Sequence, residues 1–552
     1  MSLYYEAAAL LANADAKGGS LKSRIFGKKD LKSSPGAVFA LITEATKWSA
    51  PLKDIIERSE ILKLEKRLTP TLALLLAHDL LLSKKGIAAP KQHVLSLTIT
   101  RHKARLTAEF TKCRLRNGFA AIEAWRAQIN DASKGTAEGD HASGFSFSHP
   151  RWIRINLLKT TKEQCLTTSF GDFTRVKSLQ DIRGTEKRLY IDDHIPDLIA
   201  ISSKTDLSKH AAYLAGEIIL QDKASCFPAY LLNPQPEDKH VIDATAAPGN
   251  KTTHLAAILT SHNKQSSSIE PHKVTACERD KLRAQTLKKM VKLAGGDTIV
   301  SVKAGQDFTR LDPNSAEYAD VGALLLDPSC SGSGIVGRDD MPVLHLPSLQ
   351  ASQQPKTTSK KRKRKGTDDE QVDKGTADSL EEEAPQSAEL EADKAKLQTR
   401  LANLAAFQLK IILHAFRFPT ARRITYSTCS VHAEENEQVV IKALLSDLAK
   451  ELGWRILQRE DQVEGLRKWE RRGSVKACED MLARSGVESL HAETIADACI
   501  RCEKGTEERT MGFFVAGFVR DEAALDQSTH HDAGAMQDAN EDEEWEGFSD
   551  AS

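Results

Sequence analysis

From residue 239 onward the chain alternates short apolar runs with helix-length amphipathic stretches, and this limits the folds open to it. The runs are VIDA (241–244), KVTACE (273–278), TIVSVKAG (298–305), VGALLLD (321–327), RRITYSTCS (422–430) and MGFFVAGFV (511–519). The helix-like KTTHLAAILT separates the first two, and another helix is expected from about residue 434. Strands alternating with helices build a parallel sheet covered on both faces. Ligands of such sheets bind beyond the carboxyl ends of the strands. Chemistry is therefore expected where these runs end.

The chain's 552 residues exceed one ordinary core, so two or three domains are expected. Residues 1–130 read as a helical, basic N-terminal domain in which PTLALLLAHDLLLSKKG has the density of a buried helix, stopped by Lys84, Lys85 and Gly86. A linker is expected at 131–148, an α+β region at 149–238 and the main domain at 239–520. Residues 347–395 form a polar insert in it with too little apolar surface to offset ordering entropy, and disorder is expected there. Residues 521–552 read as an acidic disordered tail.

Several classes are excluded. No run approaches 18 uncharged apolar residues, so no membrane helix is expected. The first residues lack a basic stretch ahead of their apolar one, so no signal peptide is expected. Nine scattered cysteines point to a reducing compartment, where a special cysteine is catalytic or metal-bound. Cys499 and Cys502 form a lone CxxC without a second pair, and the histidines lack ligand spacing; no metal is expected. Net charge is zero but segregated: residues 1–130 hold 22 Lys/Arg against 11 Asp/Glu, and residues 521–552 hold 11 acids and no Lys or Arg. A basic front suits a polyanion partner, with a solvated helical face as the plain alternative.

Three stretches carry candidate chemistry. In DATAAPGNKTT (243–253), small residues and Gly249 let a ligand approach the backbone at a helix N-terminus. It is neither a P-loop nor GxGxxG. The next strand ends in Glu278, where an acid can hold ribose hydroxyls. LLLDPSCSGSG (324–334) delivers Asp327 to the same edge and sets Cys330 in a glycine-rich loop, and ITYSTCS (424–430) delivers Cys429. One strand-end cysteine is usually a small buried hydrophobe. Two, beside an aspartate on a matching strand end, favour chemistry.

These residues resemble the NOL/NOP/Sun family of RNA (cytosine-5)-methyltransferases from about Arg151 to Val519. The resemblance rests on AAPGNKT, DPSCSGSG, STCS and the helix LANLAAFQLKIILHAFRFP. HIPDLIAISSKTDL and ILQDKASCFPAYLLNP resemble the branch of family member five and a fungal 25S rRNA counterpart. The resemblance implies a class I S-adenosylmethionine-dependent methyltransferase fold, an α/β fold with a seven-stranded sheet whose last strand is antiparallel. It implies that Thr245, Ala246, Ala247, Pro248, Gly249, Asn250 and Lys251 bind S-adenosylmethionine, with Glu278 on the ribose, Arg283 beside the cofactor, Asp307 near the adenine and Asp327 between cofactor and base. The family usually carries Cys where this chain has Thr245.

The chemistry explains two thiols. Cytosine C5 is too weak a nucleophile to take a methyl group unaided, and a thiolate adding at C6 activates it. The resemblance assigns that attack to Cys429, product release to Cys330 and the contact to base N3 to Asp327. DNA enzymes attack instead from the fourth-strand loop, so attack by Cys429 points to RNA, whose target base must leave any stack. Arg151, Arg154 and Lys159 are expected on the RNA backbone. The expectation is a monomeric rRNA methyltransferase, nuclear and nucleolar, with Lys360–Lys365 (KKRKRK) reading as an import signal. The alternatives are a non-catalytic ribosome-assembly factor and a tRNA methyltransferase.

Overall fold

The computed structural model describes residues 2–12, 21–26, 28, 30–90, 92–132, 149–182, 184, 186–265, 272–335, 344–348, 384–486 and 490–521. Most of the expected linker, residues 349–383 of the insert, the Lys360–Lys365 run and the tail beyond Asp521 lie outside the described residues. The chain divides into two compact units.

The first unit is helical. Its centre is Pro70–Leu82, which buries nine of its side chains because leucines and alanines occupy every face. Thr69 caps it and Pro70 opens it, a pairing that suits a helix start. The helix stops at Leu82, before Lys84 and Lys85. Trp48, Phe110 and Trp125 pack a second focus, with Trp48 and Trp125 edge to face at 5.1 Å. Tyr4 hydroxyl donates to Asp79 at 2.6 Å and accepts from the Ala88 amide, which satisfies an otherwise costly buried carboxylate. Residues 344–348 pack here too, with the His345 amide donating to Ser49 Oγ.

The second unit holds two sheets. The smaller has the order Thr174–Val176, Arg188–Ile191, Leu198–Ile201, Arg151–Ile155, Ile218–Leu220, and only its first pair is parallel. The larger contains β1 (His240–Asp243), β2 (Lys273–Glu278), β3 (Val300–Ala304), β4 (Val321–Leu326), β5 (Arg423–Thr428), β6 (Trp454–Ile456) and β7 (Phe513–Arg520), in the order β6-β7-β5-β4-β1-β2-β3. All neighbours are parallel except those of β7, which runs antiparallel to β5 and β6. This is the expected methyltransferase sheet. A short strand Ile500–Cys502 adds an eighth by pairing with β7, and it buries Cys502 while Cys499 is buried just before it.

β4 is buried along its whole length because both faces are covered. Leu324 and Leu326 pack with Ile411, Phe416 and Val440, whereas Ala323 and Leu325 pack with Leu255 and Leu287. The helix Ala384–Phe416 supplies much of the first layer. It starts inside the stretch expected to be disordered, since ELEADKAKLQTRLANLAA holds strong helix formers without Gly or Pro.

Candidate active site

Because β4 lies between β1 and β5, the carboxyl ends of these strands bring Asp243, Asp327 and Cys429 to one edge. The order reverses between β1 and β4, where open α/β sheets form their crevice. The loop after β4 brings Cys330 Sγ to 3.2 Å from Cys429 Sγ. The Gly334 amide donates to the Cys429 carbonyl at 2.8 Å, and the Gly512 amide to the Gly334 carbonyl at 2.8 Å. A Cβ at Gly334 would meet the Gly512 oxygen at 2.1 Å, so only glycine lets this loop cross β5 and β7 so closely.

Lys251 reaches the same edge from the turn after β1. Its Nζ lies 2.8 Å from Asp327 Oδ2, with the Phe513 ring 5.3 Å away. Burial pulls the Lys251 ammonium down, but Asp327, Asp243 and Cys429 outweigh it and hold it above its ordinary value. Ser427 donates to Asp327 Oδ1 at 2.7 Å. Thr245, which stands where the resemblance expects Cys, accepts from the Asp327 amide at 3.2 Å and so ties the turn to β4. Asp243 is buried and accepts from Thr252; burial raises its carboxyl to about 6. The hydrogen bond to Cys429 and burial together push the Cys330 thiol far up.

The turn itself is shaped by packing. Gly249 has φ +114°, and a Cβ there would sit 3.0–3.2 Å from Leu287 and Met290. Arg283 donates to the Ala247 carbonyl at 2.8 Å, and its guanidinium lies 3.7 Å from the buried Glu278 carboxylate at the end of β2. Ala246 and Ala247 are buried, Pro248 follows Ala247 in a cis peptide, and Asn250 opens the helix Asn250–Gln265 with its Oδ1 buried and without a partner. Asp307, after β3, spends one oxygen capping Thr309.

Arg154 is a correction. It was expected on the RNA backbone, but it is only 1% exposed and bonds inward to Gln221 Oε1 at 2.8 Å, Thr253 Oγ1 at 2.9 Å and the Asn250 carbonyl at 3.3 Å. It fastens the smaller sheet to the turn after β1, and its remaining Nη1 is buried, out of reach of a phosphate. Arg151 and Lys159 cap the carbonyls of Ser203 and Ala215.

The residues that hold the thiols are ones the motifs leave unassigned. Glu435, fully buried, accepts from the Ser331 amide at 2.9 Å and from Gln408 at 3.0 Å, and Gln408 also donates to the Ser329 carbonyl. Asn436 joins Thr428 to the Ser430 carbonyl across Cys429. The polar triplet Glu435-Asn436-Glu437, buried at the start of a helix, is the signal that could have revealed them. Among the described residues no group of three or more potential ligands could hold a metal ion.

Family models describe the same regions. Those of the NOL1/NOP2/Sun domain family member 5 match its N-terminal domain at residues 36–124 and its ferredoxin-like domain at 149–221, and that of the 16S rRNA methyltransferase RsmB/F matches residues 229–365. The chain is 36% identical to the Schizosaccharomyces pombe 25S rRNA (cytosine-C(5))-methyltransferase rcm1, over 94% of this chain and 91% of that protein. It is 34% identical to a Mus musculus 28S rRNA (cytosine-C(5))-methyltransferase over 80% of each chain, and 28% identical to the Arabidopsis thaliana 25S rRNA (cytosine-C(5))-methyltransferase NSUN5 over 83% of this chain and 65% of that protein. Two paired strand-end thiols on a methyltransferase sheet, and relatives of this identity over almost the whole chain, lead to one assignment: the chain belongs to the NOL1/NOP2/Sun family of RNA (cytosine-5)-methyltransferases, in the branch of member 5.

Proposed function

We infer that this protein methylates C5 of a cytosine in large-subunit rRNA, with S-adenosylmethionine as donor and Cys429 as nucleophile. The observation that carries the reading is the thiol pair at 3.2 Å beside the Asp327–Lys251 ion pair. Lys251 puts a positive charge near Cys429, and such charge favours a thiolate.

The Cys429 thiolate adds to C6, and the displaced electron pair moves to the N3 side of the ring. Asp327, fixed by Ser427 and Lys251, faces N3, and the Lys251 ammonium is the nearest source of the proton that N3 takes up. S-adenosylmethionine, when bound, supplies an electrophilic methyl group to C5. The C5 proton then passes to a solvent base as its electron pair re-forms the C5–C6 double bond, Cys429 leaves as the thiolate, N3 returns its proton to Lys251, and Cys330 assists that release. The turn residues fit such a cofactor: Thr245 to Lys251 give small side chains and a helix N-terminus, with an uncommitted buried Asn250 Oδ1. Glu278 would hold the ribose, with Arg283 at its side, and Asp307 would lie near the adenine.

Arg151 and Lys159 remain candidates for the RNA backbone. An rRNA substrate implies a nuclear, nucleolar enzyme, and the Lys360–Lys365 run would carry it there; we take it to act as a monomer. Bisulfite sequencing of total RNA with and without the protein, beside labelled-methyl transfer to rRNA from cells lacking it, tests the reading. One cytosine of large-subunit rRNA should lose its methyl group. Loss confined to tRNA, or no transfer at all, would overturn it.

A further inference from the structure

The helix Lys281–Ala294 reads KLRAQTLKKMVKLA, with four lysines and an arginine and without one Asp or Glu. Ala284, Leu287, Val291 and Ala294 are its buried side chains, and Leu287 and Val291 fasten it to the main sheet. That periodicity leaves Lys281, Lys288, Lys289 and Lys292 on the outer side, and all four are exposed. Lys281, Lys288 and Lys292 follow one another at i, i+7 and i+11, over about 16 Å of helix.

Like charges one turn apart on a helix repel, and a face that meets only solvent gains by setting acids between them. The chain does so elsewhere: Lys63 pairs with Glu60, Lys112 with Glu109 and Lys468 with Glu464. Lys281, Lys288, Lys289 and Lys292 have no ion pair or hydrogen bond among the described residues. The charge also continues past the helix end. Gly295 closes the helix at φ +75°, and a Cβ there would meet Lys159 Cε at 3.0 Å, so the Lys159 stem lies across that end. Its Nζ donates to the Ala215 carbonyl at 2.7 Å, which fixes it there. At its other end the helix starts three residues after Glu278, at the sheet edge that carries the thiols. The Asp280 carboxylate already takes the Leu282 and Arg283 amides there, so an anion is drawn to the side of the helix and not to its start.

We propose that this face is a track for the phosphate backbone of the RNA substrate, with Lys288, Lys289 and Lys292 as its contacts and Lys159 as its continuation. A row of unpaired ammonium groups matches a polyanion, and phosphates neutralised by it release their counterions. The helix has no aromatic side chain on which a base could stack, so the track holds the backbone and reads no sequence. A strand that leaves the reacting cytosine along this helix is gripped away from the chemistry, which makes these lysines binding residues and not catalytic ones. The proposal rests on the RNA-methylating reading above.

The test is the triple variant Lys288→Gln, Lys289→Gln, Lys292→Gln in the full chain, because Gln keeps the helix propensity of Lys and removes only the charge. Binding of a large-subunit rRNA fragment that the wild type methylates is measured against salt. Loss of three phosphate contacts should lower the slope of log K against log salt by about 2–3. Between 50 and 200 mM salt the wild type should then lose roughly twentyfold to fortyfold more affinity than the variant. KM for the RNA should rise, while kcat and the affinity for S-adenosylhomocysteine stay unchanged. A second triple, Lys442→Gln, Lys476→Gln, Arg484→Gln, removes as much charge from exposed positions on helices that pack on the opposite face of the sheet, and it should leave the slope as it is. An equal fall in both triples would reduce the effect to net charge and overturn the proposal. So would an unchanged slope in the first triple of a chain that still methylates RNA. A first triple that binds RNA more tightly would show that the face holds an acidic segment, such as residues 521–552 with their 11 acids, and overturns it as well. A wild type that neither binds nor methylates any RNA overturns both this proposal and the reading beneath it.

Discussion

Arg154→Ala separates two roles that an arginine on a strand can have. The guanidinium makes two short bonds, to Gln221 Oε1 at 2.8 Å and Thr253 Oγ1 at 2.9 Å, and a longer one to the Asn250 carbonyl. Hydrogen bonds to a charged group contribute about 1.5–3 kcal/mol each, so the two short ones total roughly 3–6 kcal/mol. Against this, burial penalises the charge and lowers the guanidinium to about 10. A net loss of about 2–4 kcal/mol is expected on truncation, with Gln221 Oε1 and Thr253 left as buried groups short of a partner. Urea unfolding should show it as a lower midpoint at constant slope. RNA affinity measured against salt supplies the second reading. A residue on a phosphate contributes about 0.7–0.9 to the slope of log K against log salt, and Arg154→Ala should leave that slope unchanged. A slope lowered by that amount, with unfolding unaltered, would refute the inward role and return Arg154 to the RNA backbone.

Cys429→Ala should form no adduct and transfer no methyl, whereas Cys330→Ala should leave RNA bonded to the protein, seen as a band that survives denaturing electrophoresis and disappears in the double variant. Glu278→Ala should weaken S-adenosylhomocysteine by roughly 1.5–3 kcal/mol in calorimetry, the contribution of a charged acceptor to ribose hydroxyls, with RNA affinity unchanged. Asp243, raised by burial to about 6, destabilises the fold once ionised. The stability gained by Asp243→Asn should therefore be absent below about pH 4, grow as pH rises to about 6 and then level off near 3 kcal/mol; a gain that is flat with pH would contradict the burial argument. Removal of residues 350–383 should spare methyl transfer on purified RNA and reduce nuclear accumulation in fluorescence microscopy.

Much of the main sheet is legible because its strands are continuous apolar runs, and such runs mark parallel strands buried on both faces. β6 (Trp454–Ile456) and the strand Ile500–Cys502 are three residues each, too short for any periodicity, and only pairing with β7 defines them. The two cysteines and Asp327 are legible because each closes such a run. Arg154 is not. In RWIRI an arginine reads as solvent-facing by default, and nothing local tells that Gln221, Asn250 and Thr253 close over it. Glu435 shows only in its polar triplet, and Gln408, 27 residues away in sequence, shares the hold on the Cys330 loop without a local pattern of its own.

That hold explains how a loop carrying a proposed reactive thiol keeps its geometry. The Cys330 loop carries few apolar side chains that could fix it by packing, and polar anchors replace them. Glu435 takes the Ser331 amide, Gln408 takes the Ser329 carbonyl, and Ser331 and Ser333 share hydrogen bonds with Ser430. Cys330 is thus gripped on both sides by its neighbours' backbone. On the facing strand Asn436 bridges Thr428 to Ser430, and Cys429 stands between them. The position of each sulfur is set by bonds to adjacent residues, and the two sulfurs meet at 3.2 Å. A loop anchored through its own cysteine would have had to use the group proposed to react.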